Sequence, residues 1–194
     1  MKERLTALVY ERSFKYSEEP IFKLVSGRVS NYYVNCKAVT LHPEGMYLIG
    51  NIIFDMIRDL PAAGIGGLTL GADPIADAVA YTSYLRGRPI EAFVVRKTAK
   101  SHGTMLWIEG NVKPGDNVVI LDDVITNGKS TIEAIARARE AGLNVIKVIV
   151  LVDRQEGGYE AVAEVVADLK TSYKPVEAVI TREELMTLHK SRNV

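Results

Sequence analysis

The chain has 194 residues, of which 47% are hydrophobic and 25% charged, a composition typical of a folded globular domain. Its 24 Lys and Arg residues balance 24 Asp and Glu residues, so the overall charge does not favour binding to nucleic acid or to an acidic membrane. The single cysteine, Cys36, excludes a disulfide framework within the chain, and no apolar run is long enough to span a bilayer. The charged N-terminus has no signal-type apolar segment, so we expect a cytoplasmic location.

The hydrophobic pattern predicts an alternation of strands and helices. The predicted strands are residues 65–70, 90–95, 118–121, 145–152 and 176–180, and a hairpin is predicted around Ser26-Gly27. The predicted helices are residues 1–12, 43–60, a segment from Pro74, a segment around Ala134, residues 159–169 and a segment opened by a capping box at residues 181–184. We expect Met46, Ile49, Ile53, Ile57 and Leu60 to be core residues. This order of elements predicts a single α/β domain with a mostly parallel central sheet flanked by helices.

Residues 117–131 carry the most chemical information. The apolar run 118–121 is followed by the carboxylates of Asp122 and Asp123, then by a polar loop and a helical pattern. In an open α/β sheet, ligands bind at the carboxyl ends of the strands. The backbone N–H groups of the loop suit a phosphate, and the carboxylates suit ribose hydroxyls or a divalent cation. Without this loop, the acidic pair would be interpreted as a solvated strand end.

A nucleotide-binding P-loop is excluded, although Gly128-Lys129-Ser130 matches the end of that motif. The P-loop requires a glycine five positions before Gly128, and Asp123 stands there. The predicted phosphate site is therefore of another kind.

This segment resembles the phosphoribosyl-pyrophosphate motif of type I phosphoribosyltransferases: apolar residues, two acidic residues, two apolar residues, Thr, a small residue, Gly, any residue, then Ser or Thr. The resemblance implies that Asp122 and Asp123 bind the ribose, with Asp123 among the catalytic residues. It implies Mg²⁺ as cofactor, held mainly through the substrate rather than directly by the protein. The loop that would hold the phosphoribosyl part comprises Val124, Ile125, Thr126, Asn127, Gly128, Lys129 and Ser130. Lys129 stands where many members have a small residue.

A basic segment follows the predicted strand 90–95 and contains Arg96, Lys97, Lys100 and His102. For an arbitrary protein it would be interpreted as a solvated loop. Its pattern, Arg-Lys-x-x-Lys-x-His-Gly, resembles the mobile catalytic loop of the orotate phosphoribosyltransferases, which would span about residues 97–109. The resemblance implies that these four side chains bind pyrophosphate, with Lys100 and His102 as catalytic residues. It also implies a homodimer in which the loop closes over the site of the neighbouring subunit.

The N-terminal segment resembles the hood of the same subfamily, which covers the pyrimidine. The matching residues of the hood, which would come largely from residues 1–40, are Phe22, Leu24, Ser26, Gly27, Ser30 and Tyr33. Val25 stands where many members carry Lys, and Lys37 where many carry Arg. We expect the neighbouring Lys23 to point to the opposite face of its strand and to be a poor substitute for the missing lysine.

A third match to this subfamily is Asp-Arg-x-Glu-Gly-Gly at residues 153–158. The resemblance implies that Arg154, together with Thr126, contacts orotate, because an Arg can donate paired in-plane hydrogen bonds to a carboxylate or carbonyl oxygen. The alternative is an ordinary turn with an Arg–Glu ion pair. A further turn at residues 71–74 resembles the pyrophosphate-binding turn, with Gly71 where some members carry Lys and Asp73 as a possible helix N-cap.

The resemblance as a whole implies transfer of a phosphoribosyl group to orotate in pyrimidine biosynthesis, with small-molecule substrates and neither nucleic acid nor a membrane as partner. Two alternatives remain open from the sequence. One is a phosphoribosyltransferase for another base. The other is a regulator that senses phosphoribosyl pyrophosphate and binds nucleic acid, against which the balanced charge weighs.

Overall fold

The computed structural model of the chain describes residues 1–23, 27, 29–100, 107–169 and 173–192. The helices are α1 Lys2–Ser13, α2 Lys37–Thr40, α3 Pro43–Ile57, α4 Asp73–Leu85, α5 Lys129–Glu140, α6 Gly158–Val165 and α7 Arg182–Arg192. The strands are β1 Phe14–Tyr16, β2 Phe22–Lys23, β3 Val29–Ser30, β4 Tyr32–Val34, β5 Gly64–Leu68, β6 Glu91–Val95, β7 Ile108–Gly110, β8 Asn117–Ile125, β9 Asn144–Asp153 and β10 Val176–Thr181. No helix within these ranges has the length and apolar character needed to cross a bilayer.

The central sheet has the strand order β10-β9-β8-β5-β6-β7. Its strands pair in parallel except for β7, which runs antiparallel to β6. The predicted mostly parallel α/β sheet is therefore confirmed. Strand β6 pairs with one edge of β5, whereas β8 pairs with the other edge. The sheet therefore has a switch point between β5 and β8. Clefts form at such points because the loops after the two strands lead in opposite directions.

The two faces of the sheet are covered by different helices. Side chains alternate along a strand, so Val119 and Leu121 of β8 belong to one buried cluster, and Val118 and Ile120 belong to another. The first cluster includes side chains of α1, α3, α4 and α7, and the second includes side chains of α5 and α6. The apolar run that predicted a buried strand is thus explained by helices on both faces.

The N-terminal segment forms two small antiparallel pairs above this sheet. Strand β2 pairs with β3, with Phe22 opposite Ser30, which confirms the antiparallel strands of the predicted hairpin, whereas residues 24–26 and 28, including Leu24, Val25 and Ser26, lie outside the described residues. Strand β1 pairs with β4. Phe14 and Tyr32 from this second pair belong to the same buried cluster as residues of the central sheet. The hood is therefore packed onto the sheet by apolar contacts.

Several predicted boundaries differ from the structure. Strand β8 continues to Ile125, so the acidic pair lies within the strand rather than after it, because β9 keeps pairing with β8 as far as Ile125. Helix α6 ends at Val165, four residues before the predicted end. Met46 was wrongly assigned to the core, since it is 36% exposed on the outer side of α3. The capping box is confirmed: the Thr181 hydroxyl accepts from the Glu184 N–H at 3.3 Å, and the Thr181 N–H donates to the Glu184 carboxylate at 2.8 Å.

Candidate active site

The two adjacent carboxylates of β8 have different surroundings because neighbouring residues of a strand point to opposite faces. Asp122 is buried, with 6% of its surface exposed. The hydroxyls of Ser130 and Thr131 donate to its Oδ2 at 2.7 and 2.6 Å. Both hydroxyls come from the first turn of α5, so Asp122 ties the strand to the helix that follows the loop.

Burial dominates the electrostatics of Asp122. It raises the pKa of this carboxyl to about 6, although the hydrogen bonds from Thr131 and Ser130 act in the opposite direction. The negative charge of Asp123 adds to the increase in the pKa. Asp122 is therefore partly protonated at mildly acidic pH.

Asp123 faces a cleft of about 590 Å³ at the carboxyl end of β8. Its Oδ1 accepts a hydrogen bond from the Val124 N–H at 3.0 Å, and its Oδ2 lies 3.2 Å from Nζ of Lys37. Gly71, from the turn after β5, lies against the same carboxylate: a Cβ at position 71 would stand 2.5 Å from Oδ1. A lysine at position 71 would thus require the Asp123 side chain to move.

The loop between β8 and α5 has the geometry of an anion site. Gly128 precedes α5 with a φ of +77°, a backbone conformation that residues other than glycine rarely adopt. Asn127 Oδ1 accepts from the Lys129 N–H at 3.2 Å and shapes the turn. Gly158 allows α6 to approach, since a Cβ there would stand 2.7 Å from the Thr126 carbonyl oxygen. The first turn of α5 presents N–H groups and a positive dipole end to the cleft, which suits a phosphate.

Arg154 lines the cleft although its side chain is only 5% exposed. Its Nε donates to Oε1 of Glu156 at 3.0 Å, and Nη2 lies 2.8 Å from the same oxygen without being aligned for a hydrogen bond. The guanidinium also stands 4.6 Å from the centre of the Tyr32 ring. The ion pair of the alternative interpretation therefore exists, and the arginine nonetheless reaches the cleft.

The described cations of the basic segment lie outside this cleft. Arg96 Nη1 and Lys100 Nζ bind the two carboxylate oxygens of Glu109 at 2.8 and 2.7 Å. These pairs lower the pKa of Glu109, with the Lys100 contact as the larger cause. Neither cation nor Lys97 is among the described residues that line the cleft, and His102 lies outside the described residues.

Most of the residues predicted from the acidic motif and from Arg154 meet in one cleft. The predicted residues that line it are Asp123, Val124, Thr126, Asn127, Gly128, Lys129, Ser130 and Arg154. Asp122 and Ile125 are buried. Asp73 was expected to cap α4 but is its first helical residue, and its Oδ2 accepts from the Thr69 hydroxyl at 2.6 Å.

The cleft also contains residues that the sequence interpretation missed. Lys23, Asn35 and Lys37, all from the hood, line it. The expectation that Lys23 would face away was wrong. Residues 23 and 25 are two positions apart, so an extended strand places them on the same face. This alternation was the signal that could have identified Lys23.

A mostly parallel sheet with an acidic pair and a phosphate-type loop at its switch point defines a class of phosphoribosyl-transferring enzymes. A family model described as phosphoribosyl transferase domain matches residues 65–178. The chain belongs to this family.

Curated relatives narrow the assignment. An orotate phosphoribosyltransferase of Aquifex aeolicus is 48% identical over 82% of this chain and 87% of its own length. The enzyme of Sorangium cellulosum is 43% identical over 95% of this chain and 93% of its own length. The solved orotate phosphoribosyltransferase of Mycobacterium tuberculosis, in complex with Fe(III) dicitrate, has a TM-score of 0.80 at 35% identity, over 95% of this chain and 98% of that one. The chain is thus a member of the orotate phosphoribosyltransferases, which are pentosyltransferases of pyrimidine biosynthesis.

Proposed function

We propose that the chain transfers the phosphoribosyl group of phosphoribosyl pyrophosphate to orotate, giving orotidine 5′-monophosphate and pyrophosphate. The observation that carries this proposal is that Asp123, the loop 126–130 and Arg154 line one cleft. The cleft therefore offers a carboxylate that can accept hydrogen bonds from ribose hydroxyls and a loop that suits a phosphate. It also offers an arginine that can donate in-plane hydrogen bonds to a flat anionic base. The M. tuberculosis enzyme has been solved with phosphoribosyl pyrophosphate, at 31% identity and a TM-score of 0.73 over 95% of this chain and 90% of that one.

The residues of β8 and its loop would hold the sugar phosphate. The Asp123 carboxylate accepts hydrogen bonds from the ribose hydroxyls. Asp122, buried beneath it, acts through the Ser130 and Thr131 hydroxyls that it binds. The backbone of residues 124–130 and the N-terminus of α5 receive the 5′-phosphate. Thr126 and Arg154 contact the base.

The basic segment would bind and help to expel pyrophosphate. The ribose becomes cation-like as this anion leaves, and Arg96, Lys97, Lys100 and His102 offset the departing charge. Lys100 or His102 protonates or hydrogen-bonds the departing oxygen. Because Arg96 and Lys100 contact Glu109 rather than the cleft of their own chain, we assign them to the site of a second subunit.

Mg²⁺ fits the donors of this cleft when it arrives with the substrate. Mg²⁺ is usually held by one or two carboxylates together with substrate phosphates, and Asp123 presents one carboxylate here. Within the described ranges, His, Cys, Asp and Glu residues do not form a group of three that could hold a metal alone. When bound, the ion supplies positive charge that stabilises the leaving pyrophosphate.

A homodimer is supported by an apolar surface on α3 and α4. Tyr47, Tyr81, Tyr84 and Leu85 are 59%, 68%, 71% and 64% exposed. Monomeric proteins rarely expose contiguous apolar patches of this kind. We therefore propose that a second copy of the chain covers it. One domain over residues 1–194 and a cytoplasmic location complete the proposal.

The test is the ultraviolet absorbance of orotate, uracil and hypoxanthine, each incubated with the protein, Mg²⁺ and phosphoribosyl pyrophosphate. We expect a change for orotate alone, abolished by a chelator. Arg154→Ala should raise the orotate KM, whereas Arg139→Ala should not, because Arg139 pairs with the exposed Asp168 away from the cleft. Turnover of another base would overturn the orotate assignment. Binding of phosphoribosyl pyrophosphate without turnover of any base would favour the regulator, which filter binding of DNA and RNA at several salt concentrations would then test.

A further inference from the structure

Glu156 stands behind Arg154, and within the described residues its side chain makes hydrogen bonds and an ion pair with Tyr32 and Arg154. Its side chain is 14% exposed, and that of Arg154 is 5% exposed. Arg154 is among the described residues that line the cleft, whereas Glu156 is not. The Glu156 carboxylate therefore lies behind Arg154, on the side of the cleft that we assign to the base.

One oxygen of Glu156 organises the surrounding groups. Oε1 accepts from Nε of Arg154 at 3.0 Å and from the Tyr32 hydroxyl at 2.5 Å. Nη2 of Arg154 lies 2.8 Å from this oxygen as an ion pair. The third nitrogen of the guanidinium, Nη1, takes part in none of these contacts. The Nε and Nη2 edge is thus engaged by the protein.

The other contacts of Arg154 reduce its freedom further. Its backbone N–H donates to the Ile125 carbonyl at 3.1 Å, which fixes the main chain at the end of β9. Its guanidinium lies over the ring of Tyr32, 4.6 Å from the centroid. Burial raises the pKa of Tyr32, and the hydrogen bond to Glu156 adds to this, so the hydroxyl remains a donor at neutral pH.

We infer that Glu156 is a positioning residue that fixes the guanidinium of Arg154 for contact with the base, an inference that rests on the function proposed above. A long arginine side chain loses considerable rotamer entropy when it binds a ligand. Because Glu156 and Tyr32 hold this side chain in place before the ligand arrives, less of that cost falls on base binding. Tyr32 belongs to the hood, so the same contacts link the hood to the base side of the cleft.

Glu156→Asp separates position from charge, because it keeps the carboxylate but withdraws it by one methylene group. We expect Glu156→Asp and Glu156→Ala to raise the orotate KM about tenfold, equivalent to about 1.4 kcal/mol of binding free energy. The KM for phosphoribosyl pyrophosphate should stay close to wild type in both variants, whereas the melting temperature of Glu156→Ala should fall, because the buried guanidinium of Arg154 loses its charged partner. Tyr32→Phe, which keeps the ring and removes the hydroxyl, should raise the orotate KM by a smaller factor.

The matched control is Glu177→Gln. Glu177 lies on strand β10, and its carboxylate stands 2.7 Å from the buried ammonium of Lys147 on β9. This variant should leave the orotate KM unchanged. An orotate KM within twofold of wild type in Glu156→Asp would overturn the inference, as would an equal rise in both substrate KM values. A wild-type protein that does not consume orotate would instead overturn the proposed function, on which the inference depends. An Arg154→Ala variant with an unchanged orotate KM would overturn the assignment of Arg154 to the base and, with it, the inference.

Discussion

The ammonium nitrogen of Lys37 lies 3.2 Å from the Asp123 carboxylate, although the two residues are 86 positions apart in the sequence. The contact joins the N-terminus of α2 to strand β8 across the wall of the cleft. Lys37 therefore brings a positive charge from the hood to the carboxylate that we assign to the ribose.

Replacing Lys37 tests this contact. We expect Lys37→Ala to lower kcat/KM for phosphoribosyl pyrophosphate about tenfold, since a partly buried charge beside the reacting group is worth about 1.4 kcal/mol in the transition state. Lys37→Arg should retain most of the activity because it keeps the cation. Lys2→Ala, which breaks the exposed pair with Glu184, is the control and should behave as wild type. Equal kinetics for Lys37→Ala and Lys2→Ala would contradict a role for Lys37.

Lys23 is the second hood cation in the cleft, and its contribution should depend on salt. We expect Lys23→Ala to raise the orotate KM about threefold at low ionic strength, since exposed charge pairs are worth up to about 1 kcal/mol. The difference should shrink in high salt because exposed charges are screened. The control is Lys15→Ala on strand β1, which pairs with β4 in a separate sheet and whose lysine is not among the described residues that line the cleft. An unchanged orotate KM at low salt would show that Lys23 only borders the cleft.

Asp122 should make stability depend on pH. Burial raises the pKa of this group to about 6 in the folded protein, against about 3.9 for an unfolded Asp. Between these values the folded state binds more protons than the unfolded state, so stability falls as the pH rises from about 4 to 6. The loss amounts to roughly 3 kcal/mol, at 1.36 kcal/mol per pKa unit.

Denaturant unfolding of Asp122→Asn measures this effect. The variant lacks the titrating group, so its stability relative to wild type should increase between pH 4 and pH 7. Asp168→Asn removes an exposed carboxylate and should follow the wild-type curve. A constant difference between Asp122→Asn and wild type over this range would contradict the assignment of the raised pKa to Asp122.

A mixing experiment tests whether the basic segment acts on a second subunit. Lys100→Ala and Asp123→Asn should each be almost inactive as pure proteins. If Lys100 serves the partner's cleft, mixed dimers carry one complete site, and random mixing restores about a quarter of wild-type activity. Lys100→Ala mixed with a Lys97→Ala, Lys100→Ala double variant should stay inactive. No recovery in the first mixture, after subunit exchange has been verified, would place Lys100 in the site of its own chain.

Local patterns in the sequence predicted the parts of the fold that local physics determines. The apolar β-branched residues of β8 and the Thr181 capping box depend on nearby residues, and both were predicted correctly. The short strands β1 and β7 were not predicted, because segments of three residues carry too little periodicity. Met46 was misassigned because the helical spacing does not show how wide the buried stripe is.

The candidate site was predictable where a single segment supplies it. All of residues 123–130 except the buried Ile125 line the cleft, and a continuous motif of this kind can be recognised in a sequence. Lys37 and Asn35 reach the same cleft only through packing of the hood onto the sheet, which no local pattern encodes. Glu156 stood in a recognised motif, yet its contact with the Tyr32 hydroxyl depends on that same packing.

If Arg96 and Lys100 bind pyrophosphate as we propose, their pairing with Glu109 makes that binding an exchange of anions rather than a simple neutralisation. The two cations begin with a carboxylate partner, so an incoming ligand must displace that partner and gains only the difference between the two interactions. For an anion with little charge, the binding free energy gained by replacing Glu109 is too small for it to bind to the basic segment. Under this proposal, a ligand with several closely spaced phosphate charges gains enough, and we expect Glu109 to make binding to the basic segment depend on the charge density of the ligand.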